Sequence, residues 1–321
     1  MIQPDAPFFA DVAQAPAGAQ GYWLTAADGT RLRAVVWASG GAGTVAIFPG
    51  RSEYAEKYGH VAAELCERGH SVAVIDWRGQ GLSDRHPSSQ VLGYVEDFRH
   101  YQQDVAAFSA LKDHLGLPGP RVLLAHSMGG CIGLRAMMSR GDFEGAVFSA
   151  PMWQLHIQSV TGEVLARLSG LASAVGFGAR LTPGARPQPS TLAYDFEANA
   201  LTGDRAMYAA MMAQLRAHPE LGIGGPSLQW TAAAFGEMTR LALAPPPEGP
   251  AMVLLGTEET VVWPAAIQRQ VERMPGADLV AISGAKHEVL METPEIRARA
   301  WDAIDRFIAG LSTVPRAAVS L

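Results

Sequence analysis

Cysteine is nearly absent from this 321-residue chain, with only Cys66 and Cys131 present. Both fall in segments that read as helices, which excludes a disulfide framework and points to buried thiols in a reducing compartment. Charge is sparse as well: 17% of residues are charged, the net charge is −6, and lysine occurs three times against 22 arginines. No basic cluster or aromatic platform offsets that balance, so nucleic-acid binding is excluded. No apolar run reaches the ~18 residues of a membrane span. Met1–Pro7 carries neither a basic start nor an apolar core of signal-peptide length. Histidine and cysteine spacings match no zinc pattern. The glycines around Arg78 lack the spacing and the Lys-Ser/Thr of a phosphate-binding loop. These absences lead to the expectation of a cytoplasmic protein, able to touch membranes transiently, that needs no metal and no cofactor. The number of subunits stays open.

Hydrophobic residues, by contrast, make up 48% of the chain. Short apolar runs predict strands at 21–26, 32–38, 44–48, 71–76, 121–125, 145–149, 251–255 and 278–282. Helical periodicity fills 54–68, 97–115, 128–140, 263–273 and 293–311. Buried strands alternating with helices indicate a mostly parallel, eight-stranded sheet with helices on both faces. The alternation breaks over 152–245. There apolar residues recur at helical spacing: Ile157, Val160, Val164, Leu165, Leu168, Leu171, Ala172 and Val175. Further helices are expected at 206–217 and from about 227 to 243, before the stiff segment Pro245–Pro250. The reading is a helical cap, 152–245, inserted in a catalytic domain formed by 1–151 and 246–321.

Ala125-His126-Ser127-Met128-Gly129 stands where the strand Arg121–Leu124 gives way to the helix after Cys131. A serine between small flanking residues fits a strained strand-to-helix turn that lifts its hydroxyl clear of the sheet. Serine is a poor nucleophile at neutral pH and needs a base, itself oriented by a carboxylate. Of the histidines after Ser127, His156 and His218 lie where strand signals are missing. His287 follows the apolar run Leu279–Ile282 and is the base candidate. The strand Met252–Leu255 ends at Gly256, and Glu258 and Glu259 follow directly; spacing alone does not choose between them. Two backbone N–H donors must face the oxyanion. Met128 and Arg51, the latter on the loop Pro49–Ser52, are the candidates. The Arg51 side chain is expected to be solvated or paired with an acidic neighbour such as Glu53.

With these pieces placed, the chain resembles the lysophospholipase and monoacylglycerol-lipase branch of the alpha/beta-hydrolase superfamily, serine hydrolases with an inserted cap. The resemblance lies in Pro49-Gly50-Arg51-Ser52-Glu53-Tyr54 through Lys57-Tyr58, and in Asp76-Trp77-Arg78-Gly79-Gln80-Gly81-Leu82-Ser83. It continues through Tyr94–Phe98 with Asp104, His126–Gly130, Gly256–Val262 and Gly284–Glu288. Its register places the acid at Glu259, where the branch more commonly has aspartate, so the loop must sit back by a methylene length. What it implies is ester hydrolysis through an acyl-enzyme on single-chain lipids, with Ser127, Glu259 and His287 as the catalytic group. The oxyanion would be held by the amides of Arg51 and Met128. The competing readings are a general carboxylesterase on small soluble esters and, in another class, a non-catalytic ligand-binding protein of the same fold.

Overall fold

The computed structural model describes residues 1–156, 159–189, 192 and 194–311. Its sheet contains β1 (Ile2–Pro4), β2 (Gln20–Thr25), β3 (Arg31–Trp37), β4 (Thr44–Phe48) and β5 (Ser71–Asp76). β6 (Arg121–His126), β7 (Gly145–Ser149), β8 (Ala251–Gly256) and β9 (Ala277–Ile282) complete it. The spatial order is β1-β2-β3-β5-β4-β6-β7-β8-β9. Pairings from β5 through β4 to β9 are parallel, while β1 to β3 and the β3–β5 pair are antiparallel. The nine strands exceed the eight read from sequence by β1, which pairs with Tyr22–Leu24 at the edge. Three residues ending in proline carry no readable alternation, and proline is tolerated only at such an edge.

Period-two alternation explains how the two faces are covered. In β4, Ala46 and Phe48 join one apolar cluster while Val45 and Ile47 join the other. The helices are α1 (Ala10–Ala13), α2 (Gly59–Glu67), α3 (Tyr101–His114), α4 (Met128–Ser139), α5 (Ser159–Ala172), α6 (Arg205–Ala217), α7 (Leu228–Leu243), α8 (Pro264–Glu272) and α9 (Pro294–Leu311). The Phe48 face is covered by α3, α4 and α7 through Phe108, Ile132 and Met238, among others. The opposite face takes α2 and α9 through Val61, Leu65, Trp301 and Ile304. α5, α6 and α7 lie between β7 and β8, and α5 packs along α7. Ile157 of the expected apolar stripe lies outside the described residues, as does the side chain of Val160. Among the described residues no helix is long and apolar enough to cross a membrane.

Two charged knots hold the segments that follow β4 and β5. Arg33, wholly buried on β3, donates to Asp76 of β5 at 2.7 Å and to both carboxylate oxygens of Glu56 at 2.7 Å. Asp76 in turn accepts the Ala55 amide at 2.9 Å, so the segment after β4 is tied to β5. Arg78 bonds Asp104 at 2.6 Å and Asp28 at 2.6 Å, which makes the glycine-rich turn after β5 a scaffold rather than a ligand loop. Removing one partner of a buried ion pair leaves charge unpaired in a dry interior, at a cost of about 3–5 kcal/mol. Arg33→Met is therefore expected to lose that much stability in urea denaturation, and a loss below about 1 kcal/mol would contradict the assigned role.

Candidate active site

Ser127 occupies the junction of β6 and α4 with φ 50° and ψ −115°, a conformation that costs a non-glycine residue about 1–3 kcal/mol. The turn is held from both sides. The Ser127 amide donates to the Ser149 carbonyl at 3.1 Å, and the Met152 amide donates to the Ser127 carbonyl at 2.8 Å. Small flanks are a steric requirement: a Cβ on Gly129 would lie 2.0 Å from the Phe48 carbonyl oxygen.

The Ser127 hydroxyl lies 3.0 Å from His287 Nε2, and His287 Nδ1 lies 2.7 Å from Glu259 Oε2. An ionised carboxylate can only accept, so Nδ1 carries the proton and Nε2 is free to accept from the serine. Glu259 is buried whereas Glu258 is exposed, so only the former reaches the imidazole. Its other oxygen accepts the amides of Val261 at 2.5 Å and Val262 at 3.1 Å. Burial works against its charge, yet the His287 hydrogen bond and those amides prevail and hold it below the usual carboxylate range. The extra methylene of glutamate is thus absorbed by a turn folded back on the carboxylate.

The loop Pro49–Ser52 is fixed by side chains from the next turn. Gln80 Nε2 donates to the Gly50 carbonyl at 2.8 Å and Trp77 Nε1 to the Pro49 carbonyl at 2.9 Å. A trans peptide whose C=O points at Gln80 points its N–H, that of Arg51, the other way. Among the described residues, neither the Arg51 amide nor the Met128 amide has a partner within the chain, so both remain able to donate. The Arg51 side chain departs from both expectations. Its Nη2 donates to the Gly224 carbonyl at 2.6 Å, its Nη1 to Ser52 Oγ at 3.1 Å, and it lies over the Trp230 ring at 5.1 Å. Burial pulls its pKa down to about 10. Glu53 does not reach it because Lys57, Tyr58 and the Gly50 amide already occupy that carboxylate.

The histidine loop is braced from the segment between β7 and β8. The Glu288 amide donates to the Leu201 carbonyl at 2.8 Å. Buried Glu292 accepts the Gly203 amide at 2.9 Å and the Lys286 amide at 2.9 Å. Residues the sequence reading passed over are His126, Lys57 and Glu288, buried together beside Ser127 and His287. All three stand inside the family-like segments around Arg51, Ser127 and His287, and that proximity is the signal the sequence offers. Glu53, His126 and Glu288 bring ligand atoms within 4.8 Å of one another, as a metal site would. The Lys57 ammonium, 2.6 Å from Glu53 and 2.5 Å from Glu288, already fills the cation position.

Sheet order, the serine at its strained turn, and the carboxylate and imidazole on the loops after β8 and β9 define an alpha/beta-hydrolase. Residues 41–294 match the family model described as serine aminopeptidase, S33, and the chain belongs to that family. Lysophospholipase L2 of Escherichia coli (strain K12) is 32% identical over 278 residues, covering 82% of this chain and 79% of that protein. The monoacylglycerol lipase of Mycolicibacterium smegmatis is 29% identical over 265 residues, covering 78% and 82%. A solved monoglyceride lipase from Saccharomyces cerevisiae shares the fold, with a TM-score of 0.71, 18% identity, and coverage of 91% of this chain and 95% of that one.

Close approach of the two site loops depends on Gly256, where a Cβ would lie 2.2 Å from the Ala285 carbonyl oxygen and 2.5 Å from that of Lys286. Gly256→Ala should push the Glu259 and His287 loops apart, lowering stability by about 1–3 kcal/mol and weakening hydrolysis. Denaturation and an ester assay check this; wild-type values in both would contradict it.

Proposed function

We propose that this carboxylic ester hydrolase works through an acyl-enzyme and acts on single-chain lipids, as a lysophospholipase or monoacylglycerol lipase. His287 takes the Ser127 proton as the oxygen attacks the ester carbonyl. Glu259 keeps the imidazole in the correct tautomer and stabilises its charged form. The Arg51 and Met128 amides receive the oxyanion, the leaving alcohol departs with the proton from His287, and water repeats the cycle on the acyl group. The 3.0 Å and 2.7 Å contacts of His287 support this relay. The relay also argues against a dormant ligand-binding protein.

The lipid class rests on one observation: Val164, Leu168, Leu171 and Val175 are 50%, 59%, 66% and 71% exposed, forming an apolar stripe at helical spacing on the segment 152–245, which we read as a cap. A contiguous apolar face of this kind suits contact with micelles or bilayers. A recess of 240 Å³ between α5 and α7, lined by Trp153, Leu155, Phe235, Met238 and Leu243 with Gln154, Glu163 and Thr239 among them, adds mostly apolar space. A ~15-carbon acyl chain gains about 0.8 kcal/mol per buried methylene, so an apolar route would dominate selection over head-group contacts. Glu53 and Glu288, the carboxylates buried beside the site, are bound to Lys57, which leaves neither free to meet the ammonium of an aminopeptidase substrate.

A fluorophosphonate probe is expected to label Ser127, with labelling and hydrolysis both lost in Ser127→Ala. Among monoesters of graded length, long acyl chains should be preferred; strict preference for two- to four-carbon groups would sink the lipid reading. Replacing Leu168 and Leu171 together by serine should weaken sedimentation with anionic phospholipid vesicles by about tenfold while sparing turnover of a soluble short ester. Equal vesicle binding would remove the stripe from the argument.

A further inference from the structure

Hydrolysis as described leaves one buried set of charges without a task. Lys57, Glu53, Glu288 and His126 are each at most 7% exposed. His126 precedes the nucleophile, Glu288 follows the base, and the His126 and His287 rings are 4.8 Å apart. Ions removed from water cost several kcal/mol each unless geometry compensates, so an ammonium and two carboxyl groups buried beside an imidazole call for a cause.

Its connectivity supplies one. Lys57 Nζ donates to Glu53 Oε1 at 2.6 Å and to Glu288 Oε1 at 2.5 Å, across 231 positions of sequence. Glu53 passes the tie onward: its other oxygen accepts the Tyr58 hydroxyl at 2.6 Å and the Gly50 amide. Gln80 closes the same loop by donating to the Gly50 carbonyl at 2.8 Å and the Glu53 carbonyl at 3.3 Å. His126 completes the enclosure with Nε2 3.7 Å from each carboxylate and Nδ1 facing the Ser149 carbonyl at 3.0 Å. One ammonium therefore joins the loop after β4, which presents the Arg51 amide, to the loop after β9, which presents His287.

We propose that Lys57 is a positioning residue whose ammonium clamps the oxyanion loop to the histidine loop and fixes the distance between the oxyanion donor and the base. The proposal rests on the serine-hydrolase reading above. Electrostatics agree with the geometry. Burial pushes the Glu288 carboxyl up to about 7, with Lys57 pulling the other way. Without the ammonium only the attraction of His287 opposes burial and the repulsion of Glu53, Glu288 takes up a proton more readily, and the two carboxyl groups lose their common partner. A slack oxyanion loop weakens a contact made in the transition state and leaves ground-state binding alone.

The test measures kcat and KM on a soluble short-chain ester, together with inhibition by a trifluoromethyl ketone that forms a tetrahedral oxyanion on serine. Lys57→Met keeps the length of the side chain and removes its charge. We expect kcat to fall about 100-fold, in line with loss of an oxyanion donor, KM to stay within about twofold, and ketone affinity to fall with kcat. Glu288→Gln should cost about tenfold in kcat with the same constancy of KM, and adding it to Lys57→Met should cost little more, since both cut one strut. Unchanged kcat in both variants overturns the proposal, and so does a loss seen in KM with ketone affinity intact. Should Lys57→Met fail to fold, the isosteric Glu288→Gln decides alone, and kcat within twofold of wild type refutes the clamp. Fluorophosphonate labelling separates the two levels. A Lys57→Met protein labelled at Ser127 and hydrolysing at the wild-type rate sinks the clamp only, whereas absence of Ser127 labelling in the wild type sinks the serine reading beneath it.

Discussion

His287 has to reach two groups at once, and that double contact constrains everything around it. With 3.0 Å to Ser127 and 2.7 Å to Glu259, the imidazole leaves no slack between the carboxyl ends of β6, β8 and β9. A parallel sheet suits this demand, because consecutive strand ends emerge on one edge and each loop can be short. Register does the rest: Ala125 lies opposite Phe48 and Phe148, so the turn at Ser127, the loop after β4 and the loop after β7 start at the same height.

Each part of the constellation is unfavourable by itself and is held by its neighbours. Ser127 is strained, Glu259 is buried, and the Arg51 guanidinium is half-buried with a carbonyl, not a carboxylate, as its partner. Compensation comes from hydrogen bonds aimed at specific atoms: Ser149 and Met152 for the turn, Val261 and Val262 for Glu259, Gln80 and Trp77 for the loop Pro49–Ser52. Strain that persists in a folded protein must be over-determined by its surroundings, and here at least two bonds oppose each distortion.

Much of this was legible in the chain itself because the informative residues are local. Apolar runs marked every long strand. Gly129 marked a point where backbones nearly touch, and a lone histidine after the last strand marked the ring that stands between Ser127 and Glu259. The edge strand Ile2–Pro4 escaped notice since three residues hold no period, and its pairing depends on a partner twenty positions away. Glu258 and Glu259 were inseparable by spacing, since which of two adjacent side chains turns inward is decided by the Val261 and Val262 amides folding back. Lys57 stayed hidden for a deeper reason. A lysine next to a glutamate normally reads as solvated surface, and only tertiary closure brings Glu288 to it from 231 positions away.

The segment between β7 and β8 contributes more than a cover. Its Leu201 carbonyl takes the Glu288 amide, its Thr202 hydroxyl donates to the Met291 carbonyl at 2.7 Å, and its Gly224 carbonyl takes Arg51. Gln214 on α6 adds a 3.0 Å bond from the Tyr54 hydroxyl. A lid swinging away as one rigid piece would break all of these and loosen both site loops with them. Among the described residues α5 makes no such bond and carries the exposed apolar stripe, whereas the stretch from Asn199 to Ser227 is tied to both site loops. The two parts of the segment thus differ: α5 packs along α7 with apolar side chains exposed, while the run Asn199–Ser227 is bonded to the loops around Arg51 and His287.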